Sequence, residues 1–260
     1  EDKLLQIAVA LILRAIFEAD FLPCSYGYRS RKSARDAVKA LQRELQFGRY
    51  RFVVEADIQG FFDNIDHAWM MRMLEQRIDD QRFLRLIKKW LKAGILEADG
   101  KVLHPITGTP QGGIVSPVLA NVYLHYALDL WFEKVVKKHC RGAAYLCRYA
   151  DDFVCAFEYQ EDAEKFYRML SERLGKFNLK LSAEKTRIVR FNRFPESAGS
   201  SFDFLGFEFR WSESRKGDKL VKLRTSRKKF QQSLRNYTTW CRESRSLSIR
   251  QILKTLNAKL

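Results

Sequence analysis

The chain has 260 residues and no apolar run close to the roughly 18 residues that a membrane span requires. Its longest apolar region, Ile7 to Phe17, is broken by Arg14 and lacks the small-residue cleavage pattern of a secretory leader. Cysteine is sparse and odd in number (Cys24, Cys140, Cys147, Cys155 and Cys241), with no CxxC pair. That excludes a disulfide framework and a structural zinc site of the usual spacing, and it points to a reducing, intracellular compartment. Cys147 and Cys155 sit in apolar runs and read as small buried hydrophobes. Internal repeats and low-complexity linkers are also missing. With 46% hydrophobic and 13% aromatic residues, the composition is that of a folded globular chain.

Acidic residues are scarce in one place only. From Arg210 to Leu260, 15 Lys/Arg stand against 3 Asp/Glu, whereas the first 209 residues carry 32 against 28. An excess of +16 concentrated in this way is the footprint of a protein that meets a polyanion. A solvated basic face and a membrane-surface helix are the alternatives, although Arg227 to Lys229 shows no apolar stripe wide enough for the latter.

Apolar spacing predicts a helix over Leu4–Ala19, then a loop over Phe21–Ser33 carrying Arg29, Arg31 and Lys32. Ser33 is placed to cap a helix reaching Phe47, and Asp66 one running from His67 to about Arg77. Further helices are expected over Gln81–Ala93, Val118–His139 (opened by Ser116-Pro117) and Glu161–Lys176, with turns at Glu97–Gly100 and Gly108–Gly113. Arg51–Asp57 reads as a strand ending in an acid. Ala143–Tyr159 reads as a β-hairpin with Asp151-Asp152 at its tip. Leu179–Ser182 and Arg187–Phe191 are extended. Phe202–Trp211 is a strand bent at its glycine, and the tail from Ser226 is helical. Helices mixed with few strands make an α+β core with a trailing helical module.

Three features stand out: the strand-end Asp57, the acid pair Asp151-Asp152, and the glycine-rich loop Thr109-Pro110-Gln111-Gly112-Gly113 between them. Taken singly, each has an ordinary reading as a strand cap, a solvated turn or a helix-leading turn. Taken jointly, they suit nucleotidyl transfer. That chemistry uses two divalent cations roughly 3.5–4 Å apart, held by hard oxygen ligands. Three neighbouring acids repel one another unless cations join them.

The flanking residues resemble reverse transcriptases of the group II intron type. The segment Ser25-Tyr26-Gly27-Tyr28-Arg29 through Ser33-Ala34 resembles the family's fingers motif, and Asp57 through His67 its first catalytic motif. Thr109 through Pro117 resembles the loop for dNTP and template, and Arg148-Tyr149-Ala150-Asp151-Asp152-Phe153 the YADD signature. Leu181-Ser182, Glu184-Lys185-Thr186 and Phe204-Leu205-Gly206-Phe207 resemble the last palm motifs. The matches run in order over most of the chain.

The resemblance implies a right-hand polymerase fold: partial fingers over 1–50, a palm with an antiparallel sheet over 51–211 (with finger-type insertions at about 67–110), and the start of a basic thumb over 212–260. It implies an RNA-directed DNA polymerase that extends a DNA primer with dNTPs on an RNA template. Two Mg²⁺ ions, for which Mn²⁺ can substitute, would lie on Asp57, Asp151, the Ile58 carbonyl and the nearby Asp152. Phe62 would be the steric gate against the 2′-hydroxyl, and Gln111 would contact the incoming nucleotide. Arg29 and Lys32, with Arg35, would hold the triphosphate. Lys185 would protonate pyrophosphate, and Leu205-Gly206 would grip the primer. Intron RNA is the implied partner and the bacterial cytoplasm the implied location.

Departures are visible as well. Arg29-Ser30-Arg31-Lys32 stands where the family has Arg-Pro-Gly-Arg, and Arg35 where histidine is common. The chain opens at Glu1-Asp2-Lys3, which resembles the tail of the first finger motif, and closes before a Gly-Trp thumb signature. It therefore reads as a core fragment or a naturally short protein, with an uncovered face where a second copy would dock. A non-catalytic RNA-binding module is the rival reading; the acid triad separates the two.

Overall fold

A computed structural model describes residues 2–92, 95–96, 102–103, 108, 113–193 and 200–259. The expected turn at Glu97–Gly100 and the loop residues Thr109 to Gly112, Gln111 among them, lie outside the described residues. Chain order is α1 (Asp2–Glu18), α2 (Ala34–Phe47), β1 (Phe52–Ala56), α3 (His67–Leu74), α4 (Gln81–Lys92), β2 (Ile95–Leu96), β3 (Val102–Leu103) and α5 (Ser116–Leu124). There follow α6 (Lys137–His139), β4 (Ala144–Tyr149), β5 (Asp152–Phe157), α7 (Gln160–Gly175), β6 (Arg187–Arg190), β7 (Ser201–Phe204), β8 (Phe207–Glu213), β9 (Lys219–Thr225), α8 (Arg227–Glu243) and α9 (Ile249–Lys259). No described helix is long and apolar enough to cross a membrane.

The central sheet runs β4-β5-β1-β6, with every pairing antiparallel. Both of its faces are covered, which explains why β5 reads as an unbroken apolar run rather than an alternation. Phe153, Cys155 and Phe157 face one core with α1, α3, α4, α5 and α7; Val154 and Ala156 face a second core with α2 and the sheet β7-β8-β9. Gln42 and Gln46 on α2 cover the edge of β9: Gln42 donates to the Val221 carbonyl at 2.7 Å, and Gln46 accepts from Val221 N–H at 2.6 Å.

Helix starts follow the predicted caps at Ser33 and Asp66, and Ser226 adds a third. Ser33 and Asp36 form a capping box on α2, Asp66 accepts from Trp69 N–H at 2.8 Å, and Ser226 caps α8. Cys147 and Cys155 are buried, and burial raises both thiols' pKa.

Three expectations are corrected. Phe202–Trp211 is two strands, because Leu205 (φ 51°) and Gly206 (φ 79°) form a tight turn with positive φ at both central residues, matching a I′ hairpin. The strand β9 was not expected at all, and the sheet it completes continues beyond residue 211. The helix over Val118–His139 is not uniformly α: it widens to π geometry at His125–Asp129 and Phe132–Val136. On α8, Phe230, Leu234 and Tyr237 are 54%, 50% and 47% exposed, so an apolar row does begin just past Lys229.

Candidate active site

Antiparallel pairing brings the acids to one end of the central sheet. The last register pairs are Ala56 with Phe153 and Tyr149 with Asp152, so Asp57, one residue past β1, lies beside the β4–β5 turn. The chain continues from Asp57 into a bridge between buried Ile58 and Leu181, with the Asp57 carbonyl accepting from Ser182 N–H at 2.9 Å.

The carboxylates sense one another. Burial raises the Asp152 pKa to about 6, with Asp151 and Asp57 adding to the rise and a Leu205 backbone hydrogen bond opposing it. Burial also raises Asp151, to which Asp57 contributes. Lys185 supplies the positive charge nearby: its Nζ donates to Asp57 Oδ2 at 2.9 Å, a contact that raises the lysine's pKa. Among the described residues no group of three or more His, Cys, Asp or Glu is already gathered as a metal cage. The donor set still suits a hard divalent cation: two or three carboxylates and a backbone carbonyl, mutually repelling and partly neutralised by an ammonium.

The turn that presents Asp151 is held from inside. Ala150 has φ 57°, a conformation unfavourable for a residue with a Cβ. Arg148, fully buried, clamps it, and all five of its donor positions are used. Nε and Nη2 reach Asp129 at 2.7 and 2.6 Å, Nη1 reaches Asn121 Oδ1 and the Ala150 carbonyl at 3.0 Å each, and Nη2 reaches Ser25 Oγ at 2.8 Å. Burial alone would lower the arginine's pKa; Asp129 more than reverses this, so the group stays charged. Asn121 also donates to the Gly27 carbonyl at 2.6 Å, and a Cβ on Gly27 would stand 2.3 Å from Ala150 N.

The π segment has a purpose here. Residues eight apart on an ideal helix sit about 80° from alignment, at about 100° per residue. The π turn, in which Leu130 N–H donates to the His125 carbonyl, absorbs one extra residue. Asn121 and Asp129 then behave as though seven apart and face the same guanidinium.

Other predicted residues fall as follows. Phe61 is buried (2% exposed), while Phe62 is partly exposed and meets it edge-on at 5.4 Å. Leu205-Gly206 forms the β7–β8 turn, close to Lys229 of α8. A cleft of about 580 Å³ there joins Asp152, Lys185, Leu205, Gly206, Lys228 and Lys229. Arg29 is not available for a triphosphate: its side chain is 7% exposed and bonded to Glu18 and to the Leu22 and Ser25 carbonyls. Lys32 lies over the Tyr26 ring at 4.6 Å and donates to the Pro23 carbonyl at 3.2 Å, whereas Arg35 is exposed. Tyr28, not singled out from sequence, lies close enough to Asp151 for that charge to raise its pKa, after burial. Nor were Asp129 and Asn121 singled out; both appear only as polar residues in an apolar helix.

A four-stranded antiparallel sheet with acids at its end and helices on both faces is the palm of a right-hand polymerase. Solved telomerase structures share this fold: that of apo telomerase from Candida tropicalis, truncated from its C-terminal domain, superposes with a TM-score of 0.63 at 12% identity, covering 85% of this chain and 45% of that one. Residues 1–209 match the family described as reverse transcriptase (RNA-dependent DNA polymerase), and the chain belongs to that family. The group II intron-encoded protein LtrA of Lactococcus lactis is 48% identical over 124 residues, which are 48% of this chain and 20% of LtrA. Protein YkfC of Escherichia coli is 30% identical over 250 residues, covering 85% of this chain and 64% of YkfC. The chain therefore spans a fifth of LtrA and under two thirds of YkfC.

Proposed function

We propose that the chain is the catalytic core of a group II intron-type reverse transcriptase, adding dNTPs to a primer 3′-hydroxyl on an RNA template. One observation carries this: strand pairing sets Asp57, one residue past β1, beside the β4–β5 turn that carries Asp151 and Asp152, and its charge adds to the rise in the Asp152 pKa. A site that only bound RNA would gain nothing from three carboxylates beside a polyanion.

Asp57 and Asp151 are the residues to hold two Mg²⁺ ions, helped by the Ile58 carbonyl, with Asp152 alongside. Such ions, when bound, lower the cost of deprotonating the 3′-hydroxyl and of charge building on the phosphate. The chain's own groups do the rest. The 3′-hydroxyl gives its proton to solvent, and its oxygen bonds to the α-phosphorus as the bond to the bridging oxygen of pyrophosphate breaks. Lys185, an ammonium at neutral pH, would give the leaving group its proton. Phe62 takes the space a 2′-hydroxyl would need, and Gln111 contacts the nucleotide. Lys32 and Arg35 remain for the triphosphate. The cleft from Asp152 to Lys229 suits a primer strand, with Leu205-Gly206 against its backbone and the basic α8 on its phosphates. Residues 212–260 then open the thumb, intron RNA is the natural larger partner, and the bacterial cytoplasm the place of action.

Primer extension on an RNA template with Mg²⁺ tests the reading. Extension by the parent chain and its loss in Asp151→Ala are expected; equal extension by the two would overturn the assignment.

A further inference from the structure

The opposite end of the central sheet carries a second cationic surface. Arg51 precedes β1 and Asp57 follows it, so at about 3.3 Å per residue the two ends lie roughly 20 Å apart. Phe47, at the end of α2, is 81% exposed, more than any other large apolar side chain among the described residues. It stands as a ridge between two clefts, of about 530 Å³ and about 630 Å³, which share Gln46 and Phe47. Arg49, Arg51 and Arg193 border the first cleft; Lys39, Arg43 and Lys222 border the second. The one acid among the described lining residues, Glu158, accepts from Ala143 N–H at 3.0 Å. The glutamine bonds from α2 to β9 make the floor rigid, with Gln46 donating to the Lys219 carbonyl at 3.0 Å.

An exposed ring flanked by cations on both sides has a specific use. An apolar partner would match the ring and strand the charges, and an acidic partner would match the charges and leave the ring. A single-stranded polynucleotide matches both, because its bases stack on aromatic faces while its phosphates meet arginines. Arg43, Arg49 and Arg51 are exposed, and their side chains make no hydrogen bond or ion pair with other described residues.

We propose that the groove around Phe47 is a second nucleic-acid site, taking a single-stranded RNA segment with a base on the Phe47 ring and phosphates on Arg43, Arg49 and Arg51. The site follows from surface chemistry alone; the choice of RNA rests on the function proposed above. A strand held here lies too far from Asp57 to be the reacting primer end. It belongs to RNA that the enzyme carries away from the reaction.

The test uses the full chain with its active-site cleft saturated by an unlabelled primer–template duplex. Anisotropy then follows a dye-labelled oligouridine of about 12 nucleotides, within the length that such grooves cover. The parent should bind it, and Phe47→Ala should weaken binding about five- to hundredfold, the range for losing one stacked base. Arg49→Ser combined with Arg51→Ser should flatten the log–log salt dependence by about 1.4, or about 0.7 for each phosphate contact. Primer extension should be unchanged in both variants. Oligouridine binding indifferent to Phe47→Ala overturns the proposal, as does a Phe47→Ala effect confined to self-association in sedimentation, which would make the surface an interface between copies. A chain that fails primer extension but binds oligouridine through Phe47 refutes the polymerase reading and leaves this site standing.

Discussion

Replacing Asp129 by alanine leaves the Arg148 guanidinium charged in the core without the carboxylate that takes two of its five hydrogen bonds. Both side chains are fully buried, so water cannot replace the lost partner. Breaking such a pair from one side costs about 3–5 kcal/mol. That is a large part of the roughly 5–15 kcal/mol that holds a domain together. At about 2–4 °C per kcal/mol for a chain of this size, the midpoint should fall by about 6–20 °C. Urea unfolding followed by tryptophan fluorescence measures the loss. The double change Asp129→Leu with Arg148→Met separates charge from function. Apolar replacement of a whole buried pair is often neutral or better, so much of the stability should return. Extension should not return, because the Ala150 carbonyl has lost its donor and nothing holds Asp151's turn. An Asp129→Ala chain within about 1 kcal/mol of the parent would refute the clamp. So would a double variant with full activity.

Four further outcomes follow from the same structure. Gly27→Ala drives a Cβ to 2.3 Å from Ala150 N and should cost about 1–3 kcal/mol, seen as a lower midpoint, together with reduced extension. Ser33→Ala removes the side-chain half of the α2 capping box, leaving the backbone N–H of residue 33 on Asp36, and should cost about 1 kcal/mol while leaving extension intact. Phe62→Ala should raise ribonucleotide incorporation relative to dNTP by about tenfold or more, read in single-nucleotide extension. Burial lowers the pKa of His125, whose Nδ1 has no hydrogen-bond partner among the described residues. The unfolded chain therefore takes a proton near pH 6.5 that the folded chain refuses, and stability contributed by this residue is lost as pH falls below that value. Asp152 works in the opposite direction, binding its proton more readily when folded. The informative quantity is thus the difference between parent and His125→Phe in urea unfolding at pH 7.5 and 5.5, and the parent should lose more.

Local signals made much of the fold legible. Ser33 and Asp66 announced their helices, and the two apolar runs flanking Asp151-Asp152 announced its hairpin. What escaped was set by partners distant in sequence. Leu205 is a poor turn residue by type, so Gly206 read as a bend; the two-residue reversal is fixed by pairing Phe204 with Phe207. In β9, three basic residues among Lys219–Thr225 made charge louder than the strand pattern. The π turns hide in a helix that is apolar all round, where period carries little information. Arg29 resembles a phosphate ligand by position, but Glu18, eleven residues earlier, occupies its guanidinium. Arg148 was visible as part of a motif, but its role depends on Asp129, nineteen residues away on another element.

The most direct test of the central claim is the anomalous signal from a crystal of the chain soaked in manganese. The account predicts two peaks joined by the carboxylates of Asp57 and Asp151, with Lys185 moved off Asp57. Manganese bound elsewhere, with Asp57 and Asp151 free of it, would contradict the account.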